Sequence, residues 1–250
     1  MYPSITIDDK SEPFNLQVAR NQIEAHSTVN IYGYQTAVTT SFIPVWENAT
    51  AYAYPSAATT MRLASTVSGD TASIQINGLD TNYSLISEVL TLTGTTPVTT
   101  AKSYLRINSM QVTVGSATNP AGIITLKDPS TSAIYSQINA GVGRTQAAIY
   151  TVPSGYTFYL ARVNAYTSLN GNNANFVLYR NLTISPTGVV ALTQQSPFTQ
   201  EYAALRVMPR PFLEKTDIQL QAKLNSGNYD VSISAEGYLI KNVVERNGSV

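Results

Sequence analysis

Residues 77–114 read "NGLDTNYSLISEVLTLTGTTPVTTAKSYLRINSMQVTV", and the period of their side chains decides the fold class. Between 83 and 94, Leu85, Ser87, Val89 and Thr91 alternate with Ile86, Glu88, Leu90 and Leu92. A strand turns successive side chains to opposite faces, so this run presents one apolar face and one mixed face. Residues 103–114 do likewise: Leu105 and Ile107 are set against Tyr104, Arg106 and Asn108, then Met110, Val112 and Val114 against Gln111 and Thr113. The "TGTTPVTTAK" between the two runs and the "NGLDTN" before them carry turn chemistry. The stretch holds neither histidine nor cysteine, and its only carboxylates, Asp80 and Glu88, read as a turn residue and a solvated strand position.

The same texture extends in both directions. Upstream, "TTMRLAST" and "ASIQING" predict two short strands joined around Ser68-Gly69-Asp70, and downstream "AGIITLKD" adds another after Asn119-Pro120-Ala121-Gly122. Residues 51–127 therefore predict a β-sandwich domain. Residues 128–146, "DPSTSAIYSQINAGVGRTQ", gather Pro, Ser and Gly and predict a linker or long loop. A second strand-rich block, 147–242, runs from "QAAIYTVP" through "TFYLARVNAYTS", "ANFVLYRNLT", "GVVALTQQ", "YAALRVMPRPFLE" and "TDIQLQAKLNS" to "YDVSISAEGYLIKN". Its separators, Pro153-Ser154-Gly155, Asn170-Gly171-Asn172-Asn173, Ser185-Pro186-Thr187-Gly188 and Asn225-Ser226-Gly227-Asn228, are turn residues, and the spacing predicts a second sandwich of jelly-roll type. The fold class expected is all-β, with two antiparallel sandwich or jelly-roll-like domains. Residues 1–50 are expected to form an extended N-terminal arm and first strands, and 243–250 a tail.

Composition narrows the function. Over 250 residues, 15 basic and 15 acidic side chains cancel, and charged residues make up only 12%. Nothing steers the chain toward nucleic acid or an anionic membrane. Low charge density with no net charge costs solubility, which points to assembly with partners. Without cysteine there are no disulfides, thiolate metal sites or thiol nucleophiles. "MYPSITIDDKSEPFNLQ" lacks the basic and apolar regions of a signal peptide, so the Asn-x-Ser/Thr sequons at Asn48, Asn82, Asn181 and Asn247 are expected to stay unmodified.

The candidate chemistry is thin. G-x-x-x-x-G-K-[ST] and G-x-S-x-G are missing, H-E-x-x-H cannot exist with a single histidine, and "GVGRTQ" (141–146) lacks the strand-to-helix setting of a phosphate loop. His26 in "EAHST" has Ser27 and Glu24 beside it, but adjacent side chains on an extended segment point apart, so a hydrogen-bonding histidine is expected rather than a triad. Asp8-Asp9 could bind a cation, and "DTN" at 80–82 has alternating oxygens of the kind a calcium loop uses without the rest of one; solvated charges and an Asx-turn are the alternatives. Tyr150, Tyr156, Tyr159, Tyr166 and Tyr179 could stack on sugars, but they fall in strand patterns where aromatic pairs stabilise sheets. Trp46 reads as a core or interface anchor. The segment 201–220 holds Arg206, Arg210, Glu214, Lys215 and Asp217 around two prolines and reads as a rim or docking surface. No catalytic, cofactor or metal residues are assigned, and no cofactor is expected.

"FNLQVARNQI", "HSTVNIYGY", "VWENATAYAYPSAATTMRLAS", "INGLDTNYSLISEVLTLTGTTPVTTAKSYLRINSMQV" and "AIYTVPSGYTFYL" together resemble a family of virion structural proteins of tailed bacteriophages, abundant in marine and cyanobacterial phages. The resemblance spans roughly residues 14–240, and "PFLEKTDIQLQAKLNSGNYDVSISAEGYLI" is similar to that family's closing strands. It implies an all-β, non-enzymatic capsid decoration (cement) protein on the virion surface, made in the host cytoplasm. The partners it implies are the major capsid protein and further copies of the chain, as a homotrimer. A head-fibre, tail or adsorption component binding host glycan is the alternative, and a sandwich-fold glycan hydrolase or lyase a third. A major capsid protein of tailed phages is a poorer match, because that fold needs a long amphipathic spine helix.

Overall fold

The structure, a computed structural model, describes residues 6–7, 10–48, 50–113, 119–169 and 175–242. A short ladder of β1 (Thr6–Ile7) and β2 (Lys10–Ser11) precedes helix α1 (Phe14–Ala19), the long strand β3 (His26–Val38) and β4 (Ile43–Pro44). Next come β5 (Arg62–Ser65), β6 (Ser73–Leu79), β7 (Leu85–Thr91), β8 (Val98–Thr99), β9 (Arg106–Val112), β10 (Ile124–Lys127) and β11 (Ile134–Ile138). The chain closes with β12 (Ile149–Thr151), β13 (Tyr156–Thr167), β14 (Val177–Ile184), β15 (Val190–Phe198), β16 (Glu201–Phe212), β17 (Asp217–Leu224) and β18 (Tyr229–Lys241). The protein is all-β, as the alternation in 77–114 requires.

Two hydrophobic cores organise these strands. One gathers Met61, Leu63, Ile74, Ile76, Met110, Ile124 and Ile138, contributed by the sheet β11-β10-β5-β8 and the sheet β7-β6-β9. The other gathers Val38, Phe158, Val163, Tyr179, Leu220 and Ile233, from the sheet β12-β17-β14-β15, joined by β4 on β17, and the sheet β16-β13-β18-β3. The period-2 pattern puts one side of each strand into these cores. In β14, for example, Val177, Tyr179, Asn181 and Thr183 are buried while their neighbours are partly exposed.

Which strands pair is decided by the tertiary structure. The runs 83–94 and 103–114 do not pair with each other: β7 and β9 lie on opposite sides of β6, each antiparallel to it. The change of apolar phase between Ile107 and Met110 marks a register shift, because Asn77 pairs with Ser109 but Gly78 with Ile107, leaving Asn108 as the extra residue. "TTMRLAST" and "ASIQING" are likewise unpaired with each other, since β5 belongs to one sheet of its core and β6 to the other. Asp70 holds this crossing. Its carboxylate accepts from Ser65 Oγ at 2.5 Å and from the amides of Ala121 and Gly122, both at 2.9 Å, and its carbonyl accepts from the Gly94 amide. Gly94 sits at φ +66°, where a Cβ would also meet the Ser68 carbonyl at 2.2 Å.

The expected linker 128–146 contains β11, which pairs with β10 and buries Tyr135 and Ile138. Its "DPSTS" is a tight turn in which Asp128 Oδ1 accepts from the amides of Ser130 and Thr131. Within residues 1–50, expected as an arm and first strands, the strands beyond the β1–β2 ladder take up residues 26–38 and 43–44. β3 pairs with β18 at eleven positions between His26 and Val38 and carries Ile31 and Val38 into the second core, and β4 pairs with β17. The β1–β2 ladder and α1 lie outside the sheets of the two cores; α1 buries Val18 and sets the Phe14 ring edge-on to Tyr238 at 5.3 Å. The tail 243–250 and the turn at Asn170–Asn173 lie outside the described residues.

Candidate interaction surface

Most side chains singled out by chemistry are spent on structure. His26 Nδ1 lies 2.8 Å from the Glu24 carbonyl, and Ser27 Oγ donates to the Leu239 carbonyl, so the two do not face each other. Asp80 Oδ1 accepts from the amides of Asn82 and Ser84, which is the Asx-turn expected of it. Glu88, expected to be solvated, instead accepts from the amides of Ala101 and Lys102, tying the loop before β9 to β7. Trp46 is buried, donating to the Thr50 carbonyl at 2.9 Å with its ring edge-on to Tyr52. Tyr150 and Tyr179 are core residues, Tyr156 and Tyr159 are half-buried, and Tyr166 is exposed. Asn181 is buried, so its sequon is closed to modification, whereas Asn82 is exposed. Among the described residues no three His, Asp or Glu side chains gather as a metal site; Asp8-Asp9 and Asn247 fall outside them.

The centre of the molecule holds a polar contact that no local pattern announced. Arg106 on β9 forms a two-pronged ion pair with Asp217 on β17, with Nε to Oδ1 and Nη2 to Oδ2 both at 2.9 Å. Nη1 donates to the carbonyls of Pro55 and Leu105, and the guanidinium lies 4.6 Å from the centre of the Tyr54 ring and 5.6 Å from that of Tyr83. Thr151 Oγ1 donates to Asp217 Oδ1 at 2.5 Å. Burial alone would lower the pKa of Arg106; the Asp217 carboxylate outweighs that and raises it. Each guanidinium nitrogen and both carboxylate oxygens bond to protein, so the pair joins the two cores.

The surface offers something different. β15 and β16 each form an edge of one of the two sheets around the second core, and both expose large apolar side chains: Val190 and Leu192 on β15, Leu205, Val207 and Met208 on β16. On β16, Leu205 is 79% exposed, Val207 95% and Met208 86%. The cause is a large register break. Leu160 of β13 pairs with Arg210 and Arg162 with Leu205, so Arg206–Pro209 stand opposite Ala161 alone and are pushed out as a knob. Pro209 and Pro211 cannot donate to a ladder, which suits an outer strand that leaves its neighbour. The rim read from residues 201–220 is therefore an apolar projection, with Arg206 and Arg210 at its base.

Beside the knob, a groove of about 430 Å³ crosses the outer face of the same sheet. Val29, Ala161 and Leu205 form its apolar part, with Asn30, Glu236 and Tyr238 as polar walls. A second groove of about 210 Å³ lies where β3 meets β9 and the 144–150 segment, lined by Thr28, Asn30, Tyr32, Ser109 and the exposed Arg144.

No protein-family model matches the chain, and no curated protein matches it. Among solved structures there is a match to a chain described as "Structure of infectious bursal disease virus Gt strain", 9% identical, covering 96% of this chain and 80% of that one at a TM-score of 0.17, a likeness that carries no argument.

Proposed function

We propose that this chain is a non-enzymatic structural protein of a virion, a decoration protein that binds the assembled head of a tailed phage and stabilises it. The observation that carries this role is the concentration of large exposed apolar residues, Leu205, Val207 and Met208, on one projecting edge of a fold whose candidate reactive groups are engaged in holding the chain together. A neutral chain with few charges gains little from water over such an edge, and burying it against a partner is the favourable outcome. The finer architecture we read as two antiparallel sandwich domains of jelly-roll type. The sequence resemblance to phage virion proteins supports the same role. A ligand that binds only the assembled lattice raises the free energy of opening it, and many weak copies multiply the effect. Its partners are the major capsid protein and further copies of the chain.

The test is direct: purified protein is added to heads that lack it, and both retention on the heads and their resistance to heat are measured. Saturable binding at a large copy number with a raised disruption temperature is expected. Only a few copies per particle by quantitative mass spectrometry would overturn decoration in favour of a head fibre, tail or adsorption component. The groove holding Arg144, Tyr32 and Asn30 favours that second reading, because amide, hydroxyl and guanidinium donors on a small concave surface suit a saccharide. Glycan-array binding lost on Arg144→Ala would support it.

A further inference from the structure

We infer that the groove between β3, β9 and residues 144–147 takes the carboxylate of an acidic sugar, a uronic acid residue, and that Arg144 is the group that selects it over a neutral sugar. This names the ligand class for the saccharide reading given above and rests on that reading.

Arg144 is the one charged residue lining the groove, and no carboxylate lines it. Its guanidinium makes no hydrogen bond, ion pair or ring contact among the described residues, so an entering oxyanion meets a cation that is not already neutralised. A planar guanidinium binds a carboxylate through two parallel N–H donors, a match that a neutral hydroxyl does not offer. The side chains of Thr28, Asn30 and Tyr32 are likewise without a hydrogen bond among the described residues. Ser109 Oγ accepts from Asn77 Nδ2 at 3.2 Å, which leaves its own proton to donate. Hydroxyls and an amide that can both donate and accept are what sugar hydroxyls need as partners.

The main chain of β3 adds to this set. From His26 to Gln35 one side of β3 pairs with β18, while the Tyr34 amide points to the other side and donates to the Gln146 carbonyl at 3.1 Å. Direction alternates along an antiparallel ladder, so Thr28, Asn30 and Tyr32 turn their N–H and C=O groups the same way as Tyr34, and none of the three finds a main-chain partner there among the described residues. The open window is short. It closes at Tyr34 and again at His26, whose amide donates to the Ile23 carbonyl at 3.4 Å. Three outward-facing residues suit one sugar ring better than an added peptide strand. The groove, at about 210 Å³, is of that scale, since sites for drug-sized ligands run to about 300–1,000 Å³.

The experiment is an NMR titration of the isotope-labelled full chain with glucuronate, glucose, acetate and an aspartate-containing tetrapeptide at one pH and ionic strength. Glucuronate should shift the amides of Thr28, Asn30, Tyr32 and Arg144 together, with an affinity at least about tenfold above that of glucose or acetate. R144Q should lower the glucuronate affinity by about tenfold or more, leave glucose where it was and keep the melting temperature, because the Arg144 side chain holds nothing in the fold; R144K should retain part of the preference. Glucose binding as tightly as glucuronate, or glucuronate binding that survives R144Q, would overturn the inference and leave a neutral saccharide as the ligand. Acetate as tight as glucuronate would reduce the groove to an adventitious ion site. The tetrapeptide binding tightest would replace the sugar with strand addition to β3. If neither sugar binds, the saccharide reading falls together with the inference, while decoration of the head is judged by its own assay.

Discussion

Glu47 places its carboxyl where β4 ends against the 146–148 segment. Its Oε1 accepts from the Gln146 amide, while Oε2 is buried with no partner among the described residues. Burial pushes this carboxyl up to about 8. The folded state therefore prefers the protonated form, and the stability Glu47 contributes is complete below the ordinary glutamate range and is lost as the pH rises through about 8. Glu47→Gln, which keeps the acceptor and removes the charge, should raise stability at pH 9 by on the order of 3 kcal/mol and change little at pH 4, as read by urea unfolding at the two pH values. Asp70 has the opposite sign. Burial would raise it, but the Ser65 hydroxyl and the Ala121 and Gly122 amides outweigh that and hold it below the usual aspartate range. Its contribution is present above that range and disappears as the pH falls through the lowered value. At this scale the distance to a partner decides what a sequence can tell. Asp80 is legible because its acceptors' partners lie two and four residues on. Glu88 is not, because its partner amides lie 13 and 14 residues away.

Among the elements, β9 shows how an irregular pattern can be read correctly yet understood only in three dimensions. The switch of apolar phase at Asn108 is visible in the sequence; what it is for is not. The extra residue turns the Asn108 side chain toward β12, where Oδ1 accepts from the Thr151 amide at 2.9 Å and Nδ2 donates to the Thr151 carbonyl at 3.0 Å. Asn108→Ala strips both partners from a buried residue and should cost about 1–3 kcal/mol, measured as a lower urea midpoint with the slope preserved. β11 was hidden for the reverse reason. It is buried on both faces, so Ser136 and Gln137 lie inside with Tyr135 and Ile138 and no alternation survives; the two polar side chains are satisfied by Thr145 and Asn139. The two prolines of β16 mark a rim in the sequence, but the extrusion of 206–209 depends on its pairing with β13.

Across the whole molecule, the chain enters one core with β3, leaves to build the other, and returns. β3 and β4 belong with β13–β18, while β5–β11 form the intervening unit, from which Arg106 of β9 reaches Asp217. Arg106→Met leaves Asp217 as a buried charge without its partner and should destabilise the protein by about 3–5 kcal/mol, whereas R106M combined with D217L should recover much of that loss. Thermal and urea unfolding of the three forms check it, and a double variant no more stable than the single one would place the effect outside the pair. By itself the sequence determined the strand character, the positions of most turns and the poverty of catalytic groups, because each follows from side-chain period or from contacts a few residues long. Which strands are neighbours, that residues 26–38 and 134–138 belong to the cores, that Arg106 meets Asp217 across 111 residues, and that Val207 and Met208 stand in solvent were decided only by the tertiary structure. Period-2 alternation states which face of a strand is buried, but every apolar face satisfies it equally well against many partners. The choice among them is made by long-range packing.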